Sequence, residues 1–244
     1  MLRPSETHKV NHRLHAHLEL LRLAANTDGL AMLHRPIEAE IESLWDDIKR
    51  AEQKGPEEYA ELVNESNRSL IEELLGVAVA AAQVFLTAVR SRCVAIARAY
   101  RSELGKDMTL AGVPILESPS DMNGYRVLRY TDKRSARALI PPIEAINAVA
   151  NFWKHQAEWP STWIADGDGQ WKTLVWNQDE SRSVQRRTME IVIKLGMARS
   201  GVWNLHVALK ALGARRDYDL GPIRRRLQTW GRSILKEAEL QIVD

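Results

Sequence analysis

A run without proline extends from Glu57 to Leu104 and reads EEYAELVNESNRSLIEELLGVAVAAAQVFLTAVRSRCVAIARAYRSEL. Its apolar residues recur every three or four positions, as on one face of an α-helix, until Gly105 supplies a helix-ending glycine. The alanine-rich centre predicts close helix contacts, because small side chains let a second helix approach. A kink near Gly76 is compatible with this pattern. The run therefore predicts one long central helix.

Helical spacing continues on both sides of this run. Residues 1–28 predict an N-terminal arm or helix, and Gly55-Pro56 ends the helix that comes next. Residues 105–132 are rich in turn-forming residues and predict an irregular connector, with a short strand from Tyr125 to Tyr130. The remaining predicted helices are Leu30–Lys54, a motif helix from Pro142 to Trp159, Glu180–Leu195, Val202–Leu212 and Pro222–Ile242.

One segment has the pattern of a hairpin. Residues 160–178 contain Asp166-Gly167-Asp168-Gly169 between two runs rich in Trp, Ile, Val and Thr, which is typical of two strands joined by a tight turn. The whole sequence thus predicts a mainly all-α protein: an up-and-down helical bundle with long helices and a small β-hairpin insertion. We expect residues 1–244 to form a single helical domain.

The charge is unevenly distributed along the chain, although the net charge is only +2. Acidic residues outnumber basic ones twelve to four from Pro36 to Leu75, whereas basic residues dominate thirteen to six from Ser181 to Asp244. The basic segment includes Arg224, Arg225 and Arg226. Two interpretations follow: the two segments attract each other, or the arginines bind an anion such as RNA.

Several classes of protein are disfavoured by composition. The single cysteine, Cys93, excludes an intramolecular disulfide and a cysteine-rich zinc site, and its helical neighbours predict a core position. His8, His12 and His15 share a helical face, which is more typical of a solvated face than of a metal site, so no metal or cofactor is predicted. The N-terminus has no apolar signal core, and Leu74–Val89 is short for a membrane span. We expect a cytoplasmic protein.

The motif helix carries the clearest candidate site. Ile143, Ile146, Ala150 and Trp153 share one side at helical spacing, and Glu144, Asn147, Asn151, His155 and Glu158 line up on the other. Two amides and an imidazole in register are unusual on an ordinary solvent face, which favours Lys and Glu. The pattern predicts an apolar face that packs and a polar stripe that is available for chemistry.

Within this helix, Asn151-x-x-x-His155 resembles the core of the HEPN superfamily (higher eukaryote and prokaryote nucleotide-binding domains). The polar position of the family pattern matches Asn151, and its histidine matches His155. Ribonuclease members carry an arginine immediately before the polar residue, where this chain has Ala150. The resemblance covers the long helix and the motif helix.

The resemblance implies an RNA-associated protein of the bacterial toxin or defence type, and a homodimer in which two motif faces meet. Its implied activity is metal-independent RNA cleavage, an endoribonuclease reaction, with His155 moving the proton and Asn151 orienting the histidine or the phosphate. Lys154 or Arg137 would have to supply the cation in place of the missing arginine. The alternative is a non-catalytic helical module that binds protein partners, in which His155 only hydrogen-bonds its neighbours.

Overall fold

The computed structural model describes residues 4–115, 127–128, 140–155, 163–165, 171–173, 180–197, 204–216 and 218–243; for residues 4–11, 163–165, 171–173, 180–186 and 243 it describes the backbone alone. The described part contains helices with these bounds: α1 Pro4–Ala24, α2 Asp28–Lys54, α3 Glu57–Leu104, α4 Pro142–Lys154, α5 Glu180–Lys194, α6 Asn204–Ala211 and α7 Gly221–Val243. The predicted fold class, a mainly all-α helical bundle, is confirmed.

The helix boundaries follow from local chemistry. The Asn26 side-chain oxygen accepts a hydrogen bond from the Asp28 N–H at 2.8 Å, which satisfies a main-chain donor at the start of α2. At the C-terminal end of α3, Gly105 adopts φ +65°, and its N–H donates to the Arg101 carbonyl at 2.9 Å. A residue without a Cβ takes this left-handed conformation at no steric cost, so the predicted stop at Gly105 is confirmed.

The extended segments differ partly from the predictions. The expected hairpin is present as β3 (Trp163–Ala165) and β4 (Trp171–Thr173), an antiparallel pair in which Trp163 faces Thr173; its Asp-Gly turn lies outside the described residues. A second antiparallel hairpin, β1 (Thr109–Leu110) with β2 (Val113–Pro114), interrupts the predicted irregular connector.

Two details of the connector explain these differences. Ala111 and Gly112 both have positive φ, 52° and 78°, which is the backbone of a tight two-residue hairpin turn that normally carries Asn-Gly. An alanine at the first position gives no sequence signal for such a turn. The predicted strand from Tyr125 to Tyr130 is wrong for Val127 and Leu128, which are helical; the rest of that strand lies outside the described residues.

The contacts divide the chain into two compact units. Unit 1 comprises residues 1–28, 84–144 and 225–244, and unit 2 comprises residues 29–83 and 145–224. The predicted single domain stays a prediction. In unit 1, the Trp230 indole N–H donates to the Val127 carbonyl at 3.0 Å. Cys93 is fully buried in this unit, and burial raises the pKa of its thiol to about 12, so its predicted core position is confirmed.

Helix α3 alone, among the described residues, is long and apolar enough to cross a membrane. Half of its most apolar 18-residue window is nevertheless buried inside the protein. Ile71, Leu75 and Val79, for example, are 0% exposed in unit 2. This burial supports the interpretation of the stretch as a core helix.

Candidate functional site

Helix α4 is buried on nearly every side, which corrects the expected division into a packed face and an open polar face. Ile146 and Ala150 are 0% exposed, as predicted for the apolar face. Glu144, expected on the open stripe, is also buried, and Asn147 and Asn151 are half-buried. The described helix ends at Lys154 and is followed by a turn at His155; the predicted end at Trp159 lies outside the described residues. Hence most of the polar stripe faces protein.

A side chain of α3 accounts for this burial of the stripe. The Gln83 amide nitrogen donates to Asn151 Oδ1 at 2.6 Å and to Asn147 Oδ1 at 3.0 Å. Gln83 itself is buried, with 8% exposure. Asn147 and Asn151 are four residues apart and therefore lie on the same side of α4, where one amide group can reach both. We call Gln83, Asn147 and Asn151 the amide cluster.

Two turns before Gln83, a glycine brings α4 close to the α3 backbone. A Cβ added to Gly76 would lie 1.9 Å from Cε2 and 2.1 Å from Nε1 of Trp153. Atoms never approach so closely, so only glycine fits under the indole of half-buried Trp153. The assignment of α3 is continuous through this position. The glycine that suggested a kink in the sequence instead makes room for a tryptophan.

Lys154 and His155 are exposed at the end of this buried helix. The His155 main-chain N–H donates to the Asn151 carbonyl at 3.1 Å, which extends the helical hydrogen-bond pattern by one residue. Asn151 therefore acts twice: its side-chain oxygen accepts from Gln83, and its main-chain oxygen holds the backbone of His155. Of the three predicted site residues at this end of α4, Lys154 and His155 are exposed, whereas Asn151 is half-buried against Gln83.

The predicted nucleic-acid-binding arginines are placed differently from one another. Arg224 Nη1 forms an ion pair with Glu38 Oε2 at 2.9 Å, in unit 2. In unit 1, Arg225 is exposed and Arg226 is half-buried; burial, with a smaller contribution from the charge of Arg225, lowers the pKa of Arg226. Arg137 lies outside the described residues. Glu38 belongs to the acidic segment, so this contact realises the predicted attraction between the two segments.

One charged contact was not predicted from sequence. Both oxygens of the Glu72 carboxylate accept main-chain hydrogen bonds at the start of α6, from Leu205 at 3.0 Å and from His206 at 3.3 Å. Burial raises the pKa of Glu72 to about 7, against the opposing effect of these two hydrogen bonds. The Glu72 carboxylate thus caps the start of α6, although Glu72 is 133 residues away from Leu205 in the sequence. No local sequence pattern predicts a contact over this distance.

Within the described part of the chain, no group of three or more His, Cys, Asp or Glu side chains is arranged to hold a metal ion. Of the N-terminal histidines, His12 and His15 are exposed on α1, and the side chain of His8 is outside the described residues. The comparisons with known proteins add nothing to this geometry: no family model, curated protein or solved structure matches the chain.

Proposed function

We propose that this chain is a HEPN-like, RNA-associated protein of the bacterial toxin or defence type, and that it cleaves RNA without a metal at the exposed end of α4. One observation carries the proposal. Lys154 and His155, a cation and an imidazole of the kind that serves as a general acid or base, are adjacent and exposed at the end of a helix whose other residues are buried or half-buried. The amide cluster and the Gly76–Trp153 contact fix the position of that helix.

In the proposed reaction, the His155 imidazole takes the proton from a ribose 2′-hydroxyl. The 2′-oxygen attacks the adjacent phosphorus, and the bond from phosphorus to the 5′-oxygen breaks, giving a cyclic phosphate and a 5′-hydroxyl. The leaving oxygen receives a proton from an imidazolium or from water. The Lys154 ammonium stabilises the negative charge that develops on the phosphate, the role of the arginine that Ala150 replaces.

The role of Asn151 differs from the expected one. Its side-chain oxygen is occupied by Gln83, so we assign it to positioning His155 and not to contact with the phosphate. Arg225 and Arg226 stay as proposed RNA contacts, whereas Arg224 is engaged by Glu38. A cytoplasmic homodimer, in which the motif ends of two copies meet, belongs to the same proposal and rests on the resemblance alone.

The test compares single substitutions at the end of α4. His155→Ala should reduce cleavage of a synthetic single-stranded RNA in EDTA by about a hundredfold or more, the usual size of a lost acid–base group. Its melting temperature should stay unchanged, because an exposed side chain contributes little packing. Lys154→Ala should also slow cleavage, and Lys194→Ala is its matched control, since Lys194 too is an exposed lysine at the last position of a helix. Undiminished cleavage by His155→Ala would refute the assignment.

A second candidate is the helical interaction module. It is favoured by four large apolar side chains that are exposed on the part of α3 in unit 2: Tyr59, Leu62, Leu70 and Val77, with 55, 66, 45 and 50% exposure. Solvent-exposed residues of this size in one helix indicate a contact surface. If the purified protein leaves RNA intact and Val77→Lys abolishes its self-association in sedimentation experiments, the module is the correct function.

A further inference from the structure

A cleft in unit 2 lies away from α4 and is lined by charged side chains. Its volume is about 460 Å³. One wall is the face of α2 that carries Arg35, Glu38 and Glu42, and the other wall carries Arg215, Arg216, Tyr218 and Asp219, before α7. A volume of this size is within the range of clefts that hold a small molecule, roughly 300–1,000 Å³.

The carboxylates of the cleft are already engaged by the protein. Glu38 accepts from the Leu220 main-chain N–H at 2.9 Å through Oε1 and from Arg224 through Oε2. The Tyr218 hydroxyl donates to Glu42 at 3.2 Å. Asp219 Oδ1 accepts from the Gly221 N–H at 2.9 Å. The contacts of Glu38 and Glu42 hold the turn against α2; together the contacts engage both oxygens of Glu38 and one oxygen each of Glu42 and Asp219.

The arginines of the cleft form fewer contacts with the protein than its carboxylates do. With respect to the described part of the chain, neither Arg35 nor Arg215 makes a hydrogen bond or an ion pair, and Arg216 makes only a long contact of 3.5 Å with the Tyr218 hydroxyl. Guanidinium groups on facing walls repel one another unless an anion lies between them. The planar donors of a guanidinium match the oxygens of a phosphate.

We propose that this cleft binds the phosphate monoester of a small molecule of nucleotide size, with Arg35 and Arg215 holding the phosphate from opposite walls. The limited volume of the cleft favours a single small molecule over a polynucleotide, which needs an extended groove. The site uses none of the residues assigned to RNA cleavage. It therefore stands or falls independently of the function proposed above.

The experiment measures binding by isothermal titration calorimetry on the full chain. Inorganic phosphate and adenosine 5′-monophosphate are titrated separately, and a short single-stranded RNA is a third arm. We expect the monophosphate to bind more tightly than inorganic phosphate, because the remainder of the molecule fills the cleft. The double substitution Arg35→Gln and Arg215→Gln should weaken binding by about tenfold or more, the usual effect of losing hydrogen bonds to a charged group.

Two controls define the result. Arg98→Gln removes an exposed arginine of α3 outside the cleft and should bind like the wild type. His155→Ala should also bind normally, which separates this site from the RNA-cleaving end of α4. Arg35 and Arg215 are both exposed, so circular dichroism of the double variant should be that of the wild type. Absence of monophosphate binding, equal affinity of the double variant, or binding of RNA alone would overturn the proposal.

Discussion

Unit 2 holds its helices in two chemically different ways. Helix α4 is attached to α3 by neutral groups, through the amide cluster and through the indole of Trp153 on Gly76. The start of α6 and the turn before α7 are attached by carboxylates, Glu72 from α3 and Glu38 from α2. A neutral contact has no proton or ion to exchange with the solvent. The end of α4 is therefore held independently of pH, whereas the attachment of α6 depends on pH.

The largest expected effect concerns Gly76. Gly76→Ala should lower the free energy of unfolding by about 2–4 kcal/mol, because the new Cβ displaces the Trp153 indole and overpacking typically costs a few kcal/mol. This loss outweighs the roughly 1 kcal/mol by which alanine favours a helix. Urea denaturation, followed by circular dichroism, measures the change.

A control and a double-mutant cycle sharpen this prediction. Gly29→Ala places a Cβ in open space in α2 and should be neutral or slightly stabilising. Trp153→Ala alone should cost about 2–4 kcal/mol, since the side chain is half-buried. In the double variant the added methyl no longer meets an indole, so the two losses should fall well short of additive. Additive losses would show that Gly76 does not serve the tryptophan.

The second prediction concerns the amide cluster. Gln83→Ala should reduce the free energy of unfolding by about 1–3 kcal/mol, because two partly buried asparagine oxygens lose their donor. Gln53→Ala, at an exposed position of α2, is the matched control and should change little. The loss at Gln83 should be the same at low and high salt, since no charge takes part. A salt-dependent loss would contradict the neutral character of the contact.

The smallest expected effect is a pH dependence of the free energy of unfolding. It distinguishes the carboxylate attachment of α6 from the neutral attachment of α4. The pKa of Glu72 is about 7 in the folded protein and about 4.5 in the unfolded chain, so the folded state keeps a proton that the unfolded chain releases between these values. The stabilisation is complete below about pH 4.5 and is lost as the pH rises through about 7. Glu72→Gln, which stays neutral, should remove this decline, on the order of 1–2 kcal/mol between pH 5 and 8.

Unfolding midpoints at the two pH values test this, with Glu73→Gln as the control because its exposed side chain is the next residue of α3. Buried His34 contributes the opposite slope, since burial lowers its pKa and its neutral form is favoured in the folded state. That contribution is present in every variant and cancels in the difference. An unchanged pH dependence in Glu72→Gln would show that this carboxylate is not protonated in the folded protein.

The helices could be predicted from the sequence because the signals that define them, apolar spacing and helix-ending Pro or Gly, lie within or directly beside each helix. The bounds of α3 follow from Pro56 and Gly105, and apolar spacing predicted the buried positions of Ile146 and Ala150. The polar stripe of α4 was wrongly expected to be open, because its partner Gln83 is 64 residues away from Asn147. A buried asparagine that accepts a hydrogen bond and a solvated one look the same in sequence.

The sequence indicated which charged segments could attract each other, but not which residues form ion pairs. The excess of acidic residues after Pro36 and of basic residues after Ser181 indicated attraction between the two segments, and Arg224 with Glu38 bears this out. Which residues pair depends on helix rotation and on the turn before α7, neither of which the spacing of charges determines. The proposed catalytic pair depends in the same way on where α4 ends.

The division of the chain into units has a consequence for its synthesis. Unit 2 joins residues 29–83 to residues 145–224, and unit 1 joins residues 1–28 to residues 225–244. The contacts of unit 1 include a hydrogen bond from Arg22 to Glu239, which are 217 residues apart in the sequence. Because the ribosome synthesises the segments of each unit at widely separated times, neither unit completes its core until residues beyond 220 have emerged. The faces of α2 and α3 that pack against residues 145–224 therefore stay uncovered during most of translation, and exposed apolar surface of this kind favours aggregation of a nascent chain.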